Sequence, residues 1–270
     1  MAAPYFQIKK DWDLVIISKT QKGSANNENG EALCCSYMLF NWSYATTASA
    51  QQVEIDKCVV LSKSASYVLT RNIPHNGKYL VDGSCIQVAA DNVTIDLNGF
   101  SVIGDGIGAG ITDDGDQYVG TSIMNGTVTG FEDGVDLGSS SITTIDRLAA
   151  IQNIFNQVDL NPASGGDIIT NSQLVGIGLG TIPPAPSTGA GLLSGTGDVI
   201  VGNFFGSNWI GLSAGANSVV KGNVARANGI GMNILCSAVV VDNVAANNTT
   251  NITYISGGCQ SENNVGEPAP

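Results

Sequence analysis

The chain has 270 residues, a formal net charge of −12, 34 glycines, and a composition that is 43% hydrophobic but only 6% aromatic. That length suffices for one large domain with its own core. After Cys85 the only basic residues are Arg147, Lys221 and Arg226, against sixteen Asp and Glu. So few cations disfavour nucleic acid and anionic membranes as partners, and no apolar run approaches the roughly twenty residues that span a bilayer.

Residues 1–50 read as foreign to the rest of the chain. Leu33 to Trp42 is modestly apolar, the small residues Ala48-Ser49-Ala50 resemble a secretory cleavage site, and Lys9, Lys10, Lys19 and Lys22 lie upstream. The expectation is a signal segment, with a disordered tail as the alternative; Cys34 and Cys35 fall inside it. Residues 51–270 form the expected domain, with 51–85 as an N-terminal cap. The remaining cysteines make two pairs, Cys58 with Cys85 and Cys236 with Cys259, one near each end. Metal ligation favours short Cys spacings and usually recruits His, and the sole histidine, His75, sits in the polar loop IPHNGKY. Two disulfides, Cys58–Cys85 and Cys236–Cys259, are therefore expected, and they imply a secreted or periplasmic protein.

From residue 95 the chain repeats. An apolar strand residue is followed five positions later by another: Ile95 and Phe100, Ile123 and Val128, Ile145 and Ala150, Ile169 and Leu174, Ile200 and Phe205, Val220 and Ala225, Val240 and Ala245. In six of these seven pairs an Asn marks the turn between members: Asn98, Asn125, Asn171, Asn203, Asn223 and Asn243. Only the Asp146-Arg147 copy lacks it. A third apolar element follows each pair, from GITD at 110–113 to NITYI at 251–255. Each repeat is thus three short strands, and successive repeats start 28, 22, 24, 31, 20 and 20 residues apart.

Val, Ile, Thr, Asn and Gly at this period exclude a helical solenoid, and the leucine-rich-repeat signature is absent. A coil in which each repeat is one turn, hydrogen-bonded in parallel to the turns above and below at about 4.8 Å, fits the pattern. Equivalent residues then stack in columns. Asn203, Asn223 and Asn243 form a ladder at a bend, where Asn tolerates left-handed backbone and its amide can bond the next turn. The stretches GNFFGSN, GNVARAN and DNVAANN also place a second Asn five residues on, at Asn208, Asn228 and Asn248.

CIQVAADNVTIDLNGFSVIGDG (85–106) resembles the entry turn of the right-handed parallel β-helix family, the fold of pectate lyases and NosD-like periplasmic proteins. YVLTRNI (67–73) resembles that family's N-terminal cap, and the Cys236 to Cys259 stretch its closing turn. The resemblance covers residues 53–265 and implies a single-stranded solenoid of about seven to eight turns. It implies no one activity, because the scaffold hosts lyases, hydrolases, epimerases, adhesins and inert proteins.

A polysaccharide lyase needs several cations or basic groups around a uronate, and Arg147, Lys221 and Arg226 lie turns apart. A glycoside hydrolase needs two carboxylates. The candidates are Asp113 and Asp114 in ITDDGDQ, and Asp136 and Asp159 at the same place in GVDL and QVDL, expected outward and stacked about 5 Å apart on adjacent turns. The G-H-G and R-x-K segments of β-helix polygalacturonan hydrolases are missing. A solvated face or a Ca²⁺ site is the competing reading of these carboxylates; no cofactor is otherwise expected. Trp209 in GSNWIGL is the candidate sugar-stacking residue. The favoured expectation is a monomeric, exported, non-catalytic β-helix protein, structural or binding a cell-surface or extracellular polysaccharide; the alternative is a carbohydrate hydrolase.

Overall fold

Strand-favouring residues in runs too short to make a core alone must stack to bury their apolar side. The computed structural model describes residues 52–74, 80, 82–113, 115–160, 165–178 and 189–267. The segment 1–50 with its expected signal, His75 and Asp114 lie outside them. The described residues form an all-β parallel solenoid of 24 strands with no helix. Every strand pair in it is parallel. Crossovers between such strands run right-handed.

Each coil has three faces. The first carries strands such as Val199–Val201 and Val219–Lys221, the second Phe204–Gly206 and Val224–Arg226, and the third Ile210–Ala214 and Ile230–Leu235. Register is continuous along each face: Ile145 lies beside Ile123 and Ile169, Ile169 beside Ile200, and Ile200 beside Val220. These side chains are fully buried, as are Leu192, Leu212 and Met232 in the column from the third face. Residues of the 51–85 segment pair in the same way. Val53–Ile55 pairs with Ser66–Leu69 on the first face, and Val59–Leu61 with Ile86–Val88 on the third. Disulfides Cys58–Cys85 and Cys236–Cys259 join neighbouring coils, with Cα atoms 4.4 and 4.7 Å apart.

Two details of the repeat differ from the sequence reading. In the first repeat the interior partner of Val128 is Val102, not Phe100. The DLNGF bend is two residues longer than the others, so counting five from Ile95 stops short of the next strand. The six turn asparagines also do not share one column. Asn125, Arg147, Asn171, Gly202, Gly222 and Asp242 stack as the left-handed residue of the bend, with φ between 51° and 69°. Asn203, Asn223 and Asn243 come one residue later and are buried. Arg147 is thus no missing copy; it occupies the left-handed position itself.

The buried asparagines form two ladders. The Asn203 N–H and Nδ2 both donate to Asn223 Oδ1 (2.9 and 3.1 Å), and Asn223 bonds Asn243 in the same way (2.9 and 3.0 Å). Asn264, 21 residues on, ends this ladder, and its Nδ2 donates to Glu267 Oε1 (2.8 Å). Tyr254 donates to the same oxygen (2.7 Å), and burial together with that bond pushes its phenol up to about 12. Asn208, Asn228 and Asn248 make the second ladder, and Asn251 Oδ1 accepts the last rung's N–H from within the same coil (3.3 Å).

A third bend uses carboxylates in place of amides. The Thr143 N–H donates to Asp167 Oδ1 (2.6 Å), the Asp167 N–H to Asp198 Oδ1 (3.0 Å) and the Asp198 N–H to Ser218 Oγ (3.2 Å). All four residues are buried. The preceding left-handed position in this column holds Ile142 at φ 56°, a β-branched side chain where such backbone costs about 1–2 kcal/mol. The two disulfides are compatible with an extracellular protein, and among the described residues no helix is long and apolar enough to cross a membrane.

Candidate functional site

On the third face, near its N-terminal end, a cleft of about 300 Å³ opens between the Asp82–Ser84 loop and the coils of Ala109–Thr112 and Asp133–Asp136. Its walls carry Asp82, Glu132, Asp133 and Asp136, with Ser84 and Thr112 and the backbone of Gly108 and Gly115. Among the described residues no Lys or Arg lines it.

Local structure accounts for each position. Ser84 Oγ accepts the Ala109 N–H (3.0 Å) and the Ser84 N–H donates to Asp82 Oδ1 (3.0 Å), which fixes the loop against the next coil. A strictly alternating strand would send Asp133 and Asp136 to opposite sides. Here Gly134 and Val135 are both buried, so both carboxylates stand on the outer side. Gly134 permits this because a Cβ there would meet the buried Asn153 amide at 2.6 Å.

The sequence candidates separate. Asp136 lines the cleft and is in register with Asp159 on the next coil. Asp159 accepts Asn156 Nδ2 at Oδ2 (3.1 Å) and lies beside the cleft, outside its wall. Asp113 is buried, and both of its oxygens are bonded: Oδ1 accepts the Gly115 N–H (3.0 Å), and Oδ2 the Ser139 N–H (3.1 Å) and Ser140 hydroxyl (2.8 Å). It fixes the turn that borders the cleft. Trp209 is 45% exposed, with its ring over Gly229. It stands at the edge of the third face three coils beyond Glu132, about 14 Å along the axis.

Asp82, Ser84, Glu132 and Asp133 were not singled out from sequence. The available signal was the Gly inside EDGVD, which marks a departure from alternation. The Asp82–Ser84 contribution has no local signal at all, because it arrives from the preceding coil.

Burial raises the Asp133 carboxyl above its ordinary range, and the charges of Asp136 and Glu132 add to this while the Asn156 N–H pulls it back (2.9 Å to Oδ1). Burial likewise raises Asp136, with Asp113 adding and the Gly138 N–H opposing. In the core, burial raises Asp198 against the pull of the Asp167 N–H. A carboxyl whose folded pKa is raised binds its proton more tightly in the native state. Its contribution to stability is therefore full below the ordinary carboxylate pKa and is lost as pH rises through the raised value. The melting temperature is expected to fall as pH rises from the ordinary carboxylate range through the raised pKa values of these groups, and Asp133→Asn/Asp136→Asn to flatten that slope. A melting temperature that climbs with pH across this window would contradict the assignment. Among the described residues no three His, Cys, Asp or Glu converge closely enough to hold a metal ion.

No protein-family model and no curated protein matches the chain. Solved structures do match it in part. XylC in complex with xylose is 11% identical with a TM-score of 0.44, over 68% of this chain and 36% of that one. The Dettilon tailspike protein gp208 is 14% identical with a TM-score of 0.43, over 79% and 59%. DFA-IIIase from Arthrobacter chlorophenolicus A6 is 12% identical with a TM-score of 0.38, over 75% and 58%. The chain thus spans between about a third and three fifths of the length of these proteins, and at such identities the likeness is to a β-helical fold alone.

Proposed function

We propose that the protein is an exported carbohydrate-binding β-helix that holds an uncharged extracellular polysaccharide on its third face, in the cleft of Asp82, Glu132, Asp133 and Asp136. The composition of the cleft wall carries this reading. Carboxylates accept charge-assisted hydrogen bonds from sugar hydroxyls, Ser84 and Thr112 add hydroxyls of their own, and the lack of any cation among the described residues of the wall disfavours uronates and phosphates. Trp209 supplies a flat apolar surface on the same edge, within reach of a chain about three sugar units long.

Binding of the full-length protein to a panel of neutral glycans, followed by calorimetry on the hits, tests the proposal. Asp133→Asn/Asp136→Asn is expected to weaken binding by at least about tenfold, the loss of one or two charge-assisted bonds. Unchanged affinity in that variant, or a preference for uronates, would remove the cleft from consideration. A second reading rests on the raised carboxyls of Asp133 and Asp136 on one strand, since glycoside hydrolysis needs one protonated and one ionised carboxyl. Release of reducing ends that disappears in either single Asn variant would establish hydrolysis in place of binding.

A further inference from the structure

The inner columns change character at the last described coil. On the first face Ile200, Val220 and Val240 are followed in register by Ser261. On the second, Phe205, Ala225 and Ala245 are followed by Gly266, the residue after Val265, which bridges Val244. On the third, Ile234 is followed by Tyr254, whose ring packs against the core. The segment Gln260–Glu267 therefore closes the core beyond Val240 and Ala245, which are buried, yet it buries little of itself. Gln260, Ser261, Glu262, Asn263, Val265 and Glu267 are all exposed. Hydrogen bonds hold it in place of apolar contacts. The Gln260 N–H donates to Ala238 O (2.9 Å), the Asp242 N–H to Glu262 O (3.1 Å), the Val265 N–H to Asn243 O (2.8 Å) and the Ala245 N–H to Val265 O (2.9 Å). Asn264 Nδ2 donates to Val240 O (2.8 Å). At the far end Glu267 Oε1 accepts both the Tyr254 hydroxyl and Asn264 Nδ2. Tyr254 belongs to the strand Thr250–Ile255, the last described strand of the third face, so this carboxylate ties the end of the segment to that face. No Lys or Arg follows Arg226 in the sequence. The carboxylate is held by neutral donors, Tyr254 before Asn264, which keep it below the ordinary glutamate range and ionised at neutral pH.

We propose that Gln260–Glu267 is a lid that opens as one unit ahead of the rest of the solenoid, with Glu267 as the latch that holds it shut. Segments with few buried apolar contacts and solvent-exposed hydrogen bonds are the ones that open locally, and this segment has both properties. Cys259 is bonded to Cys236 on the preceding coil, so an open lid stays tethered at its start and can close again. Shut, the lid occupies the strand edges of Val239–Val241 and Val244–Ala246. Open, it presents those two uncharged edges, with Val240 and Ala245 between them and solvent, to the strands of a second copy. Sheets keep such edges covered because unpaired N–H and C=O groups beside apolar side chains template pairing with another chain. The lid itself is poorly suited to that pairing, since Ser261 and Gly266 stand where a further coil would need apolar residues.

Amide hydrogen exchange measured by NMR on the full chain at neutral pH tests the proposal. In Glu267→Ala the amides that cross the joint, those of Gln260, Asp242, Ala245 and Val265, are expected to exchange roughly three- to tenfold faster, through loss of two charge-assisted bonds at an exposed site. Those of Val219 and Val224, bonded to the coil below them, are expected to keep the wild-type rate. Glu267→Gln retains an oxygen that accepts from Tyr254 and Asn264, and its rates should fall between the two. Glu262→Ala removes a neighbouring charge from the same segment and serves as the control, with exchange as in the wild type. Light scattering on the same samples is expected to show more associated mass for Glu267→Ala than for the wild type. Unchanged exchange at the joint in Glu267→Ala overturns the latch, and equal acceleration at Val219 and Val224 overturns the lid as a separate unit. Faster exchange at the joint without added mass overturns its role in guarding the edges.

Discussion

Replacing Asn223 with Leu is expected to destabilise the protein by about 3–5 kcal/mol, among the largest effects of any polar substitution in the chain. The side chain is fully buried in the middle rung of its ladder. Its Oδ1 accepts both the Asn203 N–H and Nδ2, while its own Nδ2 donates to Ile200 O and Asn243 Oδ1, at 2.9 to 3.1 Å. Leu is close in volume, so the cost is not a cavity. It comes chiefly from the Asn203 N–H, left without a partner where no water reaches, with the Ile200 carbonyl and Asn243 Oδ1 each losing one donor. Asn223→Asp tests the same point differently. It keeps the acceptor but turns a carboxylate oxygen toward the Ile200 carbonyl, so its penalty should shrink in acid as that oxygen gains a proton. Asn171→Ala provides the contrast. Asn171 sits in the exposed left-handed column, where its Nδ2 donates to Asp146 Oδ1 (3.1 Å), and its loss is expected to cost no more than about 1 kcal/mol. Denaturant midpoints measured at pH 7 separate the two; equal midpoints would refute the view that the ladder stabilises the coil.

Phe205→Ala is expected to be comparably severe, about 3–5 kcal/mol, through the void it leaves. The ring is fully buried between Leu174 and Ala225 in its column. It fills space that Gly191 and Gly211 leave on the third face, where added Cβ atoms would lie 3.1 Å from it. Small residues on three sides cannot collapse into the gap. Phe205→Leu recovers most of the volume and is expected to cost only about 1–2 kcal/mol. The adjacent Phe204 points outward over Gly206, and Phe204→Ala should change the unfolding free energy by no more than about 1 kcal/mol. If both Phe→Ala variants were equally destabilised, the assignment of inner and outer side chains on this strand would be wrong.

These two sites show how much of the fold was readable without coordinates. The 20-residue spacing of Asn203, Asn223 and Asn243 identified a stacked column because in-register coils must place like beside like. The same spacing marked Phe205 as interior and Phe204 as exterior, since successive strand residues alternate. Reading failed where the period broke. Asn264 closes the ladder at a spacing of 21, Val102 replaces Phe100 because one bend is longer, and Asn125 and Asn171 resemble the ladder residues while lying one position off them. Side-chain type alone cannot separate a left-handed Asn from a buried one. Both are favoured at bends, the first for its backbone and the second for its amide.

The candidate site was half legible. Asp136 and Asp159 were placed together by their shared context, and their strands are in register. Asp133 escaped because two consecutive buried residues precede Asp136, and Asp82 and Ser84 because they belong to a different coil.

The sequence by itself determined the kind of fold, the three strands per coil and most of the inner columns, because each follows from a periodicity that stacking imposes on side chains, and the disulfide partners, because four cysteines fall as one pair near each end. Only the tertiary structure decided which bend residue is left-handed and which is buried, how the Asp82–Ser84 loop meets Asp133 and Asp136, and that Glu267 returns to Tyr254. Those depend on register between coils, which backbone hydrogen bonds set across space and bends of unequal length hide from any count along the chain.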